Sequence, residues 1–294
     1  MVCDSNQHIV GSLSGGCVEE DLLEKLVAGE LANQSPQFFR YGESDEDAEK
    51  FGLPCGGHLD IVVEPLSPTT ECVAQFEEIH RYLQSRKLLV RTFSLQTGQT
   101  TLSPTDLPIE CSFDYDAGLL THTLGPTHQI FIIGAGMVGQ YVAEFAKTLE
   151  FNVTVCDPRA EALDSFEISD ITKIQDMPDD AIRKYAHDNQ SAIVALTHDP
   201  RIDDMGLLEA FETDAFYIGA MGSSRTSAKR RERLAQLGIT EIAMNRLRAP
   251  IGLSIGSKTP PEIAMAILAE IISVKNSFVQ ESADSSQVRD LAVS

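Results

Sequence analysis

The chain has no tryptophan, and only 6% of its residues are aromatic. It is also poor in positive charge. Lys and Arg number 23 against 44 Asp and Glu, for a net charge of -21 at pH 7. Such a surface opposes attraction to phosphate backbones and to anionic lipid, which argues against nucleic-acid and membrane partners. An anionic small molecule is still admissible, because backbone N–H groups and a few local Arg or Lys bind it whatever the net charge. No apolar run approaches the ~18 residues of a membrane helix, and no signal-peptide pattern opens the chain, so a cytoplasmic location is expected. Cysteine is sparse as well. The six, at positions 3, 17, 55, 72, 111 and 156, lack the density of a disulfide scaffold and the spacing of a structural zinc site.

What is present is apolar material, 43% of 294 residues, enough for two cores and two domains of ordinary size. Residues 1–108 predict a small N-terminal α/β domain. It contains a helical stretch, VEEDLLEKLVAGEL, and two strand-like runs, HLDIVVEPL and KLLVRTFSL. Between those runs TTECVAQFEEIHRYLQSR has helical spacing, with Thr69 and Thr70 as caps. Residues 97–127 are richer in Thr, Pro, Gly and Asp and read as connecting hairpins, with 109–127 as the linker. From 128 to 275 strand and helix alternate: QIFIIGAG, VGQYVAEFAKTL, NVTVCDP, AIVALTHDP, GLLEAFE, AFYIGAMG and a basic helix. Alternation of this kind predicts a Rossmann-like, doubly wound parallel sheet. A capping box at Thr259, Pro260 and Glu262 opens the last helix, and the polar tail 276–294 is expected to be disordered.

Gly134, Gly136 and Gly139 form G-x-G-x-x-G between a strand and a helix. The first glycine serves the tight turn, the second the approach of backbone to a pyrophosphate, the third helix–strand packing. Asp157 ends the next strand and suits ribose hydroxyls, whereas Arg159 favours a phosphate; a loop without any ligand is the alternative to both. His198, with Asp199 after AIVAL, is either a proton carrier or part of a helix-capping turn. Ser223 and Arg225 stand at a helix start, a natural anion site. The cluster Lys229, Arg230, Arg231 and Arg233 reads as a solvated face or as a ligand or partner contact. IGSKT is not a Walker loop, since Ser257 separates Gly256 from Lys258.

Cys17 follows Gly15 and Gly16 and precedes a helix, whose N-terminal partial charge stabilises a thiolate. Cys55 lies in a sharp turn between Pro54 and Gly56–Gly57. Each has a plainer reading, as a small buried hydrophobe or a turn residue. If the two thiols converge, they make a site for molybdenum, copper or persulfide chemistry.

GSLSGGCVEEDL, RYGESDEDAEKFGLPCGGHLDIVVEPL, VTVCDPR, LTHDPRID, YIGAMGSSRT and RAPIGLSIGSKTPPEIAMAI together resemble the XdhC/CoxI family, accessory proteins of molybdenum hydroxylases. The resemblance runs from about residue 9 to 275. It implies a chaperone that binds molybdenum cofactor, as molybdopterin or a dinucleotide form. The chaperone protects the cofactor while a terminal sulfido ligand is installed and delivers it to an apo-hydroxylase such as xanthine dehydrogenase. A cysteine desulfurase as sulfur donor and a homodimeric assembly are implied too. Carried over by position, Cys17 and Cys55 fall near the molybdenum, with Gly15, Gly16, Gly56 and Gly57 around them. The nucleotide-type loop falls on Gly134, Gly136 and Gly139, on the phosphate side, where Asp157, Arg159, Ser223 and Arg225 stand as candidates by their own chemistry. Family members have a further segment before the GS-x-SGGC motif, whereas ten residues precede Gly11 here, so the first domain is expected to be truncated at its start. The rival is an NAD(P)-dependent oxidoreductase, with His198 as general acid/base and Asp157 on the ribose.

Overall fold

The computed structural model describes residues 1–4, 6–13, 17–53, 57–105 and 108–290, with backbone alone at 45, 47 and 278–290. The chain divides into two compact units, Met1–Gly125 and Pro126–Ser294.

In the first unit the elements run β1 (Val2–Cys3), β2 (Ile9–Val10), α1 (Cys17–Val27), β3 (Gln37–Tyr41), α2 (Asp45–Lys50), β4 (Leu59–Val63), α3 (Thr70–Gln84), β5 (Leu88–Ser94), β6 (Thr100–Thr105), β7 (Ser112–Asp114) and β8 (Leu119–Leu124). The strands pair antiparallel, as β1-β2, β3-β4 and β6-β5-β8-β7. Val18 and Leu22, four apart on α1, bury one stripe of the helix against Tyr41, Phe51 and Ile61. Helix α3 starts as its caps predict, the Thr69 hydroxyl accepting the Cys72 N–H at 3.2 Å.

The stretch expected as a linker differs. Residues 112–114 and 119–124 are strands, and β8 pairs along β5 from Leu89↔Leu124 to Ser94↔Leu119. Thr-rich composition is compatible with strands, and Pro104 is tolerated because β6 is an edge strand. The first unit therefore extends to Gly125.

The second unit comprises β9 (Gln129–Ile133), α4 (Met137–Thr148), β10 (Asn152–Cys156), α5 (Ala160–Asp164), β11 (Thr172–Ile174), α6 (Pro178–Tyr185), β12 (Ser191–Ala195), α7 (Pro200–Phe211), β13 (Tyr217–Ala220), α8 (Ser224–Gln236), α9 (Glu241–Met244), β14 (Leu247–Arg248) and α10 (Pro260–Asp290). The sheet is parallel throughout in the order β11-β10-β9-β12-β13-β14. Every residue of β9 and β12 is buried, because both sheet faces are covered. Ile130 and Ile132 pack on one face with Val142, Leu268 and Ile271; Phe131 and Ile133 pack on the other with Ile182, Leu207 and Ile218.

The chain winds outward from β9 to β11, then returns to the opposite side of β9 as β12. The strand order reverses there, and loops leaving the carboxyl ends of β9 and β12 part to form a crevice. Helix α10 opens on the expected box, Glu262 accepting the N–H groups of Lys258 and Thr259 at 2.8 and 3.0 Å. It continues to Asp290, over most of the tail read as disordered; residues 276–290 contain neither Pro nor Gly to stop it. Among the described residues no helix is long and apolar enough to cross a membrane.

Candidate functional site

A cavity of about 260 Å³ lies at this crevice, lined by Gly134, Gly136, Asp157, Arg159, Thr197 and His198 among others. The glycine loop that forms one wall is sterically determined. Gly134 has φ +104°, and a Cβ there would stand 2.6 Å from Cγ2 of Thr197. A Cβ on Gly139 would meet the Gly134 carbonyl oxygen at 2.8 Å. Gly136 is different: nothing lies within 4 Å of its missing Cβ, and it heads α4 without any side-chain cap. Uncapped N–H groups on an open face make an anion receptor.

Asp157, at the end of β10, is 1% exposed. Its Oδ2 accepts the Ala135 N–H at 2.9 Å, tying β10 to the glycine loop. It also grips Arg159, accepting from its backbone N at 3.0 Å, Nε at 2.9 Å and Nη2 at 2.7 Å. Burial acts to raise the carboxyl pKa, but the Arg159 guanidinium and these N–H groups outweigh it and hold the group below its ordinary value. The facing loop repeats the device. In the second Asp-Pro-Arg, residues 199–201, Asp199 accepts the Arg201 backbone N–H at 2.9 Å, Nε at 3.1 Å and Nη2 at 2.8 Å. Arg201 draws the Asp199 carboxyl down to about 2.

His198 is exposed and lines the cavity. Asp199 does cap α7, as the plainer reading of that loop has it. Under the loop lies a network that the sequence did not disclose. The Thr197 hydroxyl donates to Asp203 at 2.8 Å and accepts the Asp199 N–H at 3.0 Å. Asp203 in turn accepts from Arg230 at 2.7 Å, and Arg230 also donates to Asp204 at 3.2 Å and to the Met221 carbonyl at 2.9 Å. Burial pushes the Asp203 carboxyl up to about 6 against the pull of Thr197 and Arg230. Of the basic cluster, Arg233 pairs with Asp204 at 2.7 Å, and Arg231 donates to the carbonyls of Met244 and Leu247. Three of the four cations thus tie α8 to neighbouring backbone and carboxylates, and Lys229 stays exposed. Signals existed in the paired acids at 203–204 and in the stripe Ser227, Arg230, Leu234 at helical spacing.

Two predicted residues of the second unit stand elsewhere in it. Ser223 caps α8, its hydroxyl accepting the Thr226 N–H at 3.2 Å, and Arg225 is exposed; neither lines the crevice. Cys17 is the first residue of α1 in the first unit and is exposed. Gly57 is half-buried. Gly15, Gly16, Cys55 and Gly56 lie outside the described residues, so the expected meeting of the two thiols does too. Among the described residues no three His, Cys, Asp or Glu side chains gather as a metal site.

Residues 130–271 match the family model described as the XdhC Rossmann domain. Over 291 aligned residues the chain is 26% identical to a Bacillus subtilis (strain 168) protein named as a probable xanthine dehydrogenase subunit, covering 90% of this chain and 84% of that one. It is 25% identical over 280 residues to the molybdenum cofactor insertion chaperone PaoD of Escherichia coli (strain K12), covering 94% and 77%. A solved structure, described as a xanthine dehydrogenase from Bacillus halodurans, matches with a TM-score of 0.71 at 25% identity, covering 94% of this chain and 85% of that one.

Proposed function

Since this chain belongs to the XdhC family, we propose that it is an accessory protein of a molybdenum hydroxylase, one that binds molybdenum cofactor and passes it to the apo-enzyme. The observation that carries this reading is the crevice at the sheet switch point, in a chain similar over most of its length to a protein named as a molybdenum cofactor insertion chaperone. The lining fits the phosphate end of such a ligand. An open face at Gly136, uncapped N–H groups at the start of α4 and the donors of Arg159 all suit an anionic ester. The molybdenum side is assigned to the thiols of Cys17 and Cys55, which are soft ligands. Ser223 and Arg225 are assigned an outer phosphate contact.

The bound cofactor carries the redox chemistry of the recipient hydroxylase. This chain's part is to hold it, exclude water and release it. Sulfuration by a docked cysteine desulfurase, a homodimeric state and a cytoplasmic setting complete the proposal. Protein isolated from a molybdenum-replete host, assayed for metal and for the fluorescence of oxidised pterin, tests it. Both signals are expected near stoichiometry, and a Cys17→Ser, Cys55→Ser double variant is expected to lose most of the molybdenum. Parent protein without pterin sinks the reading; equal metal in the double variant removes the thiols from it.

The second reading, an NAD(P)-dependent oxidoreductase, rests on His198 lining the same cavity as the glycine loop. A ligand that binds only the native state raises its melting temperature, so a large shift with nicotinamide nucleotide and none with molybdopterin would favour the enzyme.

A further inference from the structure

Asp157 occupies the position at which a Rossmann fold receives ribose hydroxyls, the end of the second strand in the winding order. Its carboxylate has no acceptor site to spare. Oδ1 takes the Arg159 backbone N–H and Nε, and Oδ2 takes the Ala135 N–H and Arg159 Nη2. Four donors fill the roughly four lone-pair positions of a carboxylate. A ribose diol would have to displace charge-assisted bonds about twice as strong as neutral ones.

Arg159 is in the opposite state. Its side chain is 68% exposed, it lines the crevice, and it is clamped along one edge by Asp157. Asp157 engages Nε and one Nη2 proton, and the guanidinium is a planar fork whose remaining donors match the geometry of a phosphate. The nearby negative charge on the facing wall, Asp199, is itself engaged by Arg201. With α4 starting uncapped at Gly136, the crevice offers hydrogen-bond donors from both the guanidinium and the helix start.

We propose that the crevice selects its ligand by a phosphomonoester received on Arg159, with Asp157 as the positioning residue that orients the guanidinium, and that a free ribose diol is not recognised there. This rests on the crevice being the ligand site of the proposed function and adds the form of the ligand: a terminal phosphate rather than a nucleotide-capped diester. The same chemistry is offered by the 2′-phosphate of an NADP-type dinucleotide and by the side-chain phosphate of molybdopterin.

Titration calorimetry of the full chain separates the sources. NADP+ is compared with NAD+, which lacks only the 2′-phosphate, and molybdopterin with its phosphatase-treated product. In at least one pair the phosphorylated member is expected to bind at least tenfold tighter. Arg159→Gln is expected to bring that ratio near one while leaving the other member's affinity unchanged, and Arg159→Lys to restore part of it. Preference within the molybdopterin pair supports both this inference and the chaperone reading. Preference within the nucleotide pair, with neither molybdopterin form bound, supports the inference while withdrawing the crevice from the chaperone reading. Molybdopterin bound equally with and without its phosphate overturns the inference and leaves that reading intact. Equal affinities within both pairs, a ratio that Arg159→Gln does not move, or no binding of any of the four overturns the inference as well.

Discussion

Gly134 and Gly136 are two residues apart, and the same added methyl has different consequences at each. At Gly134 it would be driven into Thr197 from a left-handed backbone, whereas at Gly136 it would enter open space. Gly134→Ala is therefore expected to cost about 2–3 kcal/mol in urea denaturation, from strain and overpacking together. Gly136→Ala is expected to leave stability within ~0.5 kcal/mol and to lower cofactor retention severalfold, because the methyl occupies the approach to the α4 N–H groups. Unchanged retention in Gly136→Ala would detach the crevice from the ligand. Asp199 supplies a pH test. Its carboxyl lies at about 2 when folded, below the ordinary 3.8. A depressed folded value means that the stabilisation is present above about 3.8 and is lost as pH falls toward 2. The carboxyl carbon resonance of Asp199 should titrate with a midpoint near 2, and Arg201→Ala should return it toward the ordinary range.

At the scale of elements, the contact between α7 and α8 turns on Arg230, 2% exposed between Asp203 and Asp204. Removing one partner of a buried ion pair leaves the others uncompensated. Arg230→Leu is expected to cost about 3–5 kcal/mol by urea denaturation, while Lys229→Ala on the exposed face stays within ~0.5 kcal/mol. A small effect at Arg230 would mean that the carboxylates find other donors or water. Through Asp203 and Thr197 the same pair supports the loop that carries His198, so the strength of this helix contact bears on the shape of the crevice.

The second unit contains the apolar residues of both its sheet faces, with Val142, Val153 and Ile271 on one side and Ile182, Leu207 and Leu234 on the other. Residues 126–294 expressed alone are expected to unfold in one cooperative transition by thermal circular dichroism; a broad, baseline-less melt would show that the unit depends on the rest of the chain. Its layout was also the easiest to foresee. Strands covered on both faces read as unbroken apolar runs, QIFII and AIVA, and the helices between them have their own period. The first unit was harder. β8 finds its partner β5 some thirty residues away, and nothing in a Thr- and Pro-rich stretch names a distant partner, so it read as connecting hairpins or linker, of which the β7-β8 hairpin fits the first.

What the sequence determined by itself was local: the alternation of strand and helix, the glycines that the first turn of the sheet requires, the caps at Thr69 and Glu262, and the motifs that mark the family. Tertiary structure decided which polar groups were already engaged. Ala135 reaches Asp157 across 22 positions, and Arg230 reaches Asp203 across 27. A carboxylate or guanidinium has a fixed number of hydrogen-bonding sites, and whether they are filled depends on segments that only folding brings within 3 Å. Asp157 spends its acceptors on Ala135 and Arg159, and Arg230, in a cluster read as a solvated face or a ligand or partner contact, is part of the core.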